Sequence, residues 1–117
     1  MYNPLPESLT INESKIHGLG LFAIKDIPLG TDLGISHVKH PDFPQGWLRT
    51  PLGGFYNHTD TPNCKLKSAY VGVFEDRLSC CRLITIKNIK KGDELTCSYS
   101  LWDEDNEWKK NLVRSAR

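Results

Sequence analysis

The chain has 117 residues, of which 38% are hydrophobic and 25% charged, and its formal net charge is +1. This length and composition are typical of one soluble globular domain, and the near-zero charge gives no field toward nucleic acid or an anionic membrane. Apolar runs stay far below the ~20 residues that span a bilayer, and residues 1–10 lack the regions of a secretory signal. We therefore expect a cytoplasmic protein, small enough to enter a nucleus, with no direct nucleic acid or membrane partner.

A ten-residue pattern, I-K-D/N-I-x-x-G-x-D/E-L, occurs twice, at residues 24–33 and 86–95. Each copy predicts a strand, a tight turn and a strand, with Gly30 or Gly92 at the reversal because glycine adopts positive φ without steric cost. The repeat predicts two similar β lobes. We expect it to build the fold and to carry no chemistry.

Segments of β-rich composition predict the other strands. They are residues 21–24, 31–35, a hairpin of 66–74 and 78–86 joined near 75–77, and 95–99. Residues 36–54, rich in proline, histidine and glycine, show no period and predict a loop with at most one helical turn. The tail, 102–117, is the one predicted helix, because acids crowd its start and bases its end, which complements the helix dipole.

Four cysteines are present, and Cys80 and Cys81 are adjacent while Cys64 and Cys97 stand alone. Zinc sites usually use pairs of cysteines two to four residues apart, and this chain has none. We therefore predict that the thiols pack as small hydrophobes on strands and that no metal is bound.

Three short segments carry the candidate chemistry: H-G-L-G-L-F-A at 17–23, F-Y-N-H-T-D-T-P-N at 55–63 and G-D-E-L-T-C-S-Y at 92–99. Alone, a glycine pair is more often a plain β-turn, and a tyrosine that ends a strand is commonly a core residue. The middle segment is stronger, because two asparagines and a proline can form a buried polar turn around the histidine. In this order, the three resemble the signature of SET-domain protein-lysine methyltransferases, in particular the minimal members of viruses and microbes.

The resemblance covers roughly residues 10–100 and implies a single SET domain over 1–117, closed by the helix 102–117. It implies a mostly β fold of the β-clip type, with several short sheets and a threaded, pseudo-knotted C-terminal segment. The implied activity is transfer of a methyl group from S-adenosylmethionine to a lysine amine of a protein substrate, histone or otherwise.

The resemblance also assigns roles to individual residues. Main-chain groups beside the glycine turn would bind the amino acid end of the cofactor: Lys15, Ile16, His17, Gly18, Leu19 and Gly20. Asn57 would hold the cofactor's amine, the backbone of His58 would pair with the adenine edge, and Trp108 could cover the adenine ring or only dock the helix. Tyr99 matches the catalytic tyrosine. The candidates for the lysine channel are Tyr56, Tyr70, Cys97 and Trp102, for which a hydrophobic core position is the alternative.

The chain departs from the family pattern at three positions in the middle segment, where Gly54, Thr59 and Asp60 replace arginine, serine and cysteine. No cysteine-rich zinc tail follows Tyr99, and the segment 36–54, which helps to build the peptide groove in the family, is very short. A homodimer could complete such a groove. Two other functions stay open: a non-catalytic β-clip module that binds a partner, and a methyltransferase that acts on a small amine.

Overall fold

The computed structural model describes residues 5–43 and 46–97, and this part of the chain is mostly β-strand. The strands are β1 (Leu9–Glu13), β2 (Leu19–Ala23), β3 (Asp32–Lys39), β4 (Trp47–Arg49), β5 (Asn57–His58), β6 (Cys64–Val71), β7 (Leu78–Thr85) and β8 (Glu94–Cys97). A five-residue helix, α1 (Pro51–Phe55), precedes β5, and a short 3-10 helix, Phe74–Asp76, joins β6 to β7. The predicted mostly β architecture and the predicted hairpin are confirmed. The predicted helix 102–117 and the threaded segment lie outside the described residues.

The strands pair in the order β1-β2-β8-β6-β7-β3-β4, and β5 pairs with β8. Strand β8 runs antiparallel to β2 and parallel to both β5 and β6. A strand late in the sequence therefore lies between strands from the first and middle thirds of the chain. This arrangement brings the first two sequence motifs together with the described part of the third, residues 92–97.

The core lies where β2, β7 and β8 meet the second copy of the repeat. Its largest fully buried side chains include Leu21, Leu83, Ile89 and Leu95. Each comes from a different segment, and burial of one such side chain contributes about 1.5–3 kcal/mol. These buried side chains therefore pack β8 against the strands on either side of it.

The two copies of the repeat form turns that pair with each other. Gly30 and Gly92 have φ of 85° and 95°, so the prediction of glycine at each reversal is confirmed. The backbone amide of Ile27 donates to the carbonyl of Ile89 at 2.7 Å, and the amide of Ile89 donates back at 2.8 Å. The repeat thus builds an internal pseudo-twofold contact between the segment after β2 and the segment after β7.

A second pair of hydrogen bonds explains why the third position of the repeat is Asp or Asn. The backbone amide of Lys91 donates to Asp26 Oδ1, and the amide of Leu29 donates to Asn88 Oδ1, both at 2.9 Å. In each case the side chain of one copy accepts from the turn of the other copy. Both Asp and Asn carry the oxygen that this contact requires.

The prediction of a loop over residues 36–54 is wrong for the strands found there, whereas the one helical turn that it allowed is present as α1. Strand β3 continues to Lys39, β4 pairs with it in antiparallel register, and α1 begins at Pro51. Strand β4 has only three residues, too few for a hydrophobic period to show, and it forms because the edge of β3 supplies partners. Strand β1, which is absent from the sequence prediction, pairs along its whole length with β2. In the described ranges, no helix has the length and apolar character needed to cross a membrane.

Candidate functional site

The glycine turn lies between β1 and β2 and is closed by its own backbone. The amide of Ser14 donates to the carbonyl of Gly18 at 2.8 Å, and Gly18 has a φ of +49°, in the left-handed region. Ser14 Oγ accepts from the amide of Ile16 at 2.9 Å and faces that of His17 at 3.4 Å. Ile16 and Leu19 are each 50% exposed. The turn therefore presents backbone and apolar side chains to solvent in a fixed shape.

The carboxylate of Glu94, at the start of β8, lies directly beneath this turn. Ser14 Oγ is 2.8 Å from both Oε1 and Oε2, and Asn57 Nδ2 donates to Oε2 at 2.8 Å. A Cβ at Gly20 would overlap Oε2 and would lie only 2.9 Å from Glu94 Cδ. A Cβ at position 20 would therefore force this carboxylate, the far end of a flexible side chain, to move.

Asn57 is brought to the turn by α1 and β5. The helix ends at Phe55, and Asn57 then pairs with Thr96 in β8, which places its side chain beside Glu94. Its Nδ2 also lies 3.1 Å from the carbonyl oxygen of His17 and 3.2 Å from that of Leu19. Three acceptors thus surround the amide nitrogen and orient it toward the turn, so Oδ1 points away from them.

The second asparagine of the middle motif has a structural role. Asn63 Nδ2 donates to the carbonyl of Glu94, and the amide of Thr96 donates to Asn63 Oδ1, each at 2.8 Å. One side chain thereby satisfies two backbone groups of β8, but His58 is exposed, so the predicted buried turn around the histidine is wrong. His58, on β5, pairs through its backbone with β8, and its imidazole Nε2 lies 3.8 Å from Asp60 Oδ1 at the surface.

Three thiols, those of Cys64, Cys81 and Cys97, belong to the hydrophobic core. Burial raises the pKa of Cys64 to about 12, and burial together with the neighbouring thiols raises the pKa of Cys97 well above its ordinary value. Such thiols stay protonated and behave as small hydrophobes. Among the described residues, no three His, Cys, Asp or Glu side chains are placed to hold a metal ion.

His37, in β3, is a buried residue that the sequence did not indicate. Its Nδ1 lies 2.9 Å from Ser36 Oγ, which donates to the carbonyl of Cys81, so Nδ1 carries the hydrogen and Nε2 is the acceptor. No described residue donates to this buried Nε2. Desolvation, with a smaller contribution from Arg49, lowers the pKa of His37 to about 4. The imidazole is therefore neutral at pH 7.

The structure brings part of the predicted site together. The glycine turn and Asn57 are in direct contact, and His58 follows on the same strand. Tyr56 is half-buried, with its ring edge-on to His37 at a centroid distance of 6.3 Å. The sequence motifs contained Glu94 without a role for it, and they did not include Ser14. A role for the Ser14 hydroxyl is recognised only from its hydrogen bond to Glu94, which lies 80 positions away in the sequence.

The remaining predicted channel residues are placed differently. Tyr70 is 64% exposed, so a core position is wrong for it, and the guanidinium of Arg77 lies 4.5 Å from its ring centroid. It is six residues along β6 from Cys64, which pairs with β8, so roughly 20 Å of strand separates it from the glycine-turn site. The side chain of Cys97 is fully buried in the core. Tyr99, Trp102 and Trp108 lie outside the described residues.

Comparison with known proteins identifies the fold. The family model described as SET domain matches residues 32–100, which is more than half of the chain and leaves out the glycine turn. A candidate histone methyltransferase of Plasmodium falciparum is 21% identical, with a TM-score of 0.66, over 83% of this chain and 96% of its own. A ligand-free PRC2 structure with two substitutions in Ezh2 is 21% identical, with a TM-score of 0.59, over 89% of this chain and 16% of its own. At this identity the two likenesses establish the fold alone. No curated protein matches the sequence.

Proposed function

The chain belongs to the SET-domain family, and on that premise we propose that it transfers a methyl group from S-adenosylmethionine to the ε-amine of a lysine in a protein. The observation that carries the proposal is the convergence of the glycine turn, Asn57 and Glu94. These groups come from the first, middle and last thirds of the described chain and share hydrogen bonds. A fold could be maintained without so polar a cluster beside an exposed turn, whereas a site for a zwitterionic ligand requires one.

The residues at this cluster suit the amino acid end of the cofactor. Asn57 Oδ1 can accept from an ammonium group, and Glu94 supplies a negative charge 2.8 Å from the other end of the same amide. Main-chain groups of Lys15, Ile16 and His17 other than those already bonded to Ser14 and Asn57 would pair with the ligand's polar groups. His58 would contribute its main chain, and Trp108 its ring, to binding of adenine.

The proposed chemistry is an in-line displacement at a methyl group. S-adenosylmethionine supplies that methyl on a positively charged sulfur, which makes it an electrophile. The protein must orient the lysine nitrogen and favour its neutral form, which at pH 7 costs about 4–5 kcal/mol for a lysine with the ordinary pKa of ~10.4. Desolvation in an apolar channel lowers this cost. We assign orientation of the nitrogen to the hydroxyl of Tyr99, which removes the need for a strong base.

Three residues stay candidates for the lysine channel, namely Tyr56, Cys97 and Trp102. Tyr56 is the best placed of the described ones, because it directly precedes Asn57 in the chain. An aromatic face there could attract the ammonium or methylammonium head of the substrate. We propose a protein substrate without assigning it to the histones, a cytoplasmic location, and a homodimer as one way to complete the peptide groove.

The experiment is a transfer assay with methyl-labelled S-adenosylmethionine and a lysate of the source organism. We expect label on a discrete protein, and mass spectrometry should place it on lysine. A matched reaction with Asn57→Ala should lose the label, while Asp42→Asn, an exposed carboxylate on the loop after β3, should retain it. Binding of S-adenosylhomocysteine without any transfer would instead support the non-catalytic module. Label on a small amine would show that the substrate is a small molecule and not a protein.

A further inference from the structure

The carboxylate of Glu94 accepts hydrogen bonds from two donors. Ser14 has one hydroxyl hydrogen, and its oxygen already accepts from the turn, so that hydrogen goes to Glu94. Asn57 Nδ2 donates to the same carboxylate at 2.8 Å. An ionised carboxylate is acceptor-only, so it can accept both bonds, whereas an amide in its place would bring a competing donor. The carboxylate of Glu94 therefore fixes the direction of the bonds from Ser14 and Asn57, and the carbonyl oxygens of His17 and Leu19 orient Asn57 in the same way.

That direction has a consequence for the free side of the cluster. Because Nδ2 of Asn57 faces Glu94 and the carbonyl oxygens of His17 and Leu19, its Oδ1 is the atom left for a ligand. An oxygen acceptor backed by a carboxylate favours a cationic donor and disfavours an anion. Among the described residues, Glu94 takes part in no ion pair, so its charge has no cationic partner within that part of the protein.

We propose that Glu94 is a positioning residue that makes this site selective for the α-ammonium group of the cofactor. It acts chiefly by supplying a negative charge behind the amide of Asn57, and it joins the carbonyl oxygens of His17 and Leu19 in orienting that amide. The inference rests on the proposed function, since it concerns the same ligand. The role is assigned to Glu94 from its hydrogen bonds, because its position in the third motif did not indicate one.

The test compares two ligands that differ only in the amine, S-adenosylhomocysteine and its desamino derivative, by calorimetry. The wild type should bind the amine-bearing ligand at least roughly tenfold more tightly, the scale of one charge-assisted hydrogen bond. In Glu94→Gln this preference should fall to within about threefold, because the negative charge behind Asn57 is lost although the carbonyl oxygens of His17 and Leu19 still orient its amide. Glu94→Asp, which keeps the charge, should recover part of the preference.

Two further variants separate selectivity from general effects. Glu13→Gln removes an exposed carboxylate paired in register with Leu19, at the same turn, and should leave the preference unchanged. Ser14→Ala loosens the turn but leaves Glu94 and Asn57 in contact, so it should weaken both ligands equally. Thermal unfolding of each variant by circular dichroism reports whether it is folded.

The outcomes are distinguishable. Equal loss of both ligands in Glu94→Gln would overturn the inference, because a residue that merely supports the fold behaves in that way. A wild type that binds both ligands equally would also overturn it, without need of any variant, while leaving the proposed function intact. A wild type that binds neither ligand would overturn both the inference and the proposed function.

Discussion

Substitution of Gly20 by alanine tests the packing of the glycine turn against Glu94. The added Cβ would overlap Glu94 Oε2 and lie 3.2 Å from Asn57 Nδ2, so the carboxylate must move. The clashing atoms are the far end of a flexible side chain, so the steric cost is small, and the main loss is that of the bonds from Ser14 and Asn57, which water only partly replaces. We expect a loss of about 1–3 kcal/mol in the free energy of unfolding. At about 4 °C per kcal/mol for a chain of this size, Tm should fall by about 4–12 °C.

A double-mutant cycle with Glu94→Ala identifies the cause of this loss. Gly20 is not in the left-handed region, so alanine there adds no backbone strain, and its penalty should largely disappear once the carboxylate is removed. The coupling energy between the two sites should be about 2 kcal/mol. Gly18→Ala is the matched control, because Gly18 has a φ of +49° and no atom near its missing Cβ. Its cost of about 1–2 kcal/mol should be the same with or without Glu94.

Urea denaturation followed by circular dichroism is the assay for the cycle, read from the midpoint at constant slope. The reasoning is refuted if Gly20→Ala is equally destabilising in the presence and absence of the Glu94 carboxylate. It is also refuted if Gly18→Ala shows the larger coupling. The first result would mean that the cost at position 20 does not come from contact with the carboxylate, and the second that the carboxylate is coupled to position 18 instead.

Four other predictions follow from the same site and core. Asn57→Ala should weaken binding of S-adenosylhomocysteine at least tenfold, or about 1.4 kcal/mol, in calorimetry; unchanged affinity would remove Asn57 from the site. Tyr99→Phe should lower kcat by roughly 10²-fold with little change in cofactor affinity, and an unchanged kcat would move the role to Tyr56. The pKa of His37 is lowered from 6.5 to about 4 in the folded protein, so as the pH falls the unfolded chain binds the proton first. The contribution of His37 to the free energy of unfolding is therefore fully present above pH 6.5 and is reduced by about 3 kcal/mol at pH 4. His37→Gln should flatten that dependence in urea denaturation. Cys97→Phe should destabilise the protein by about 1–3 kcal/mol, because the larger ring must enter a filled core beside Cys64. If the variant is instead stable and mass spectrometry shows altered methylation products, the side chain lies in the lysine channel.

The sequence predicted those features that depend on local chemistry. The reversals at Gly30 and Gly92 were predictable because few other residues adopt a positive φ, and the structure has glycine there with φ of 85° and 95°. The hairpin of β6 and β7 was predictable because two β-rich segments flank a short polar turn. The contact between the glycine turn and Asn57 was also predictable, since the order of motifs is a property of the sequence itself.

Other features depend on pairings between distant segments, for which the sequence contains no local signal. Strand β4 exists because the edge of β3 supplies its hydrogen bonds, and its three residues show no period of their own. The neutral, buried state of His37 results from desolvation by surrounding strands, which composition does not reveal.

The clearest division lies in the glycine turn. From the sequence alone, Gly18 and Gly20 form one motif with one apparent reason, a backbone free to approach a ligand. The tertiary structure separates them, because Gly18 is needed for its left-handed φ and Gly20 for the space that Glu94 occupies. Ser14 and Glu94 are 80 positions apart, and only the insertion of β8 beside β2 brings their side chains within hydrogen-bonding distance. The sequence determined which residue types the site has, whereas packing of distant strands decided which of them touch.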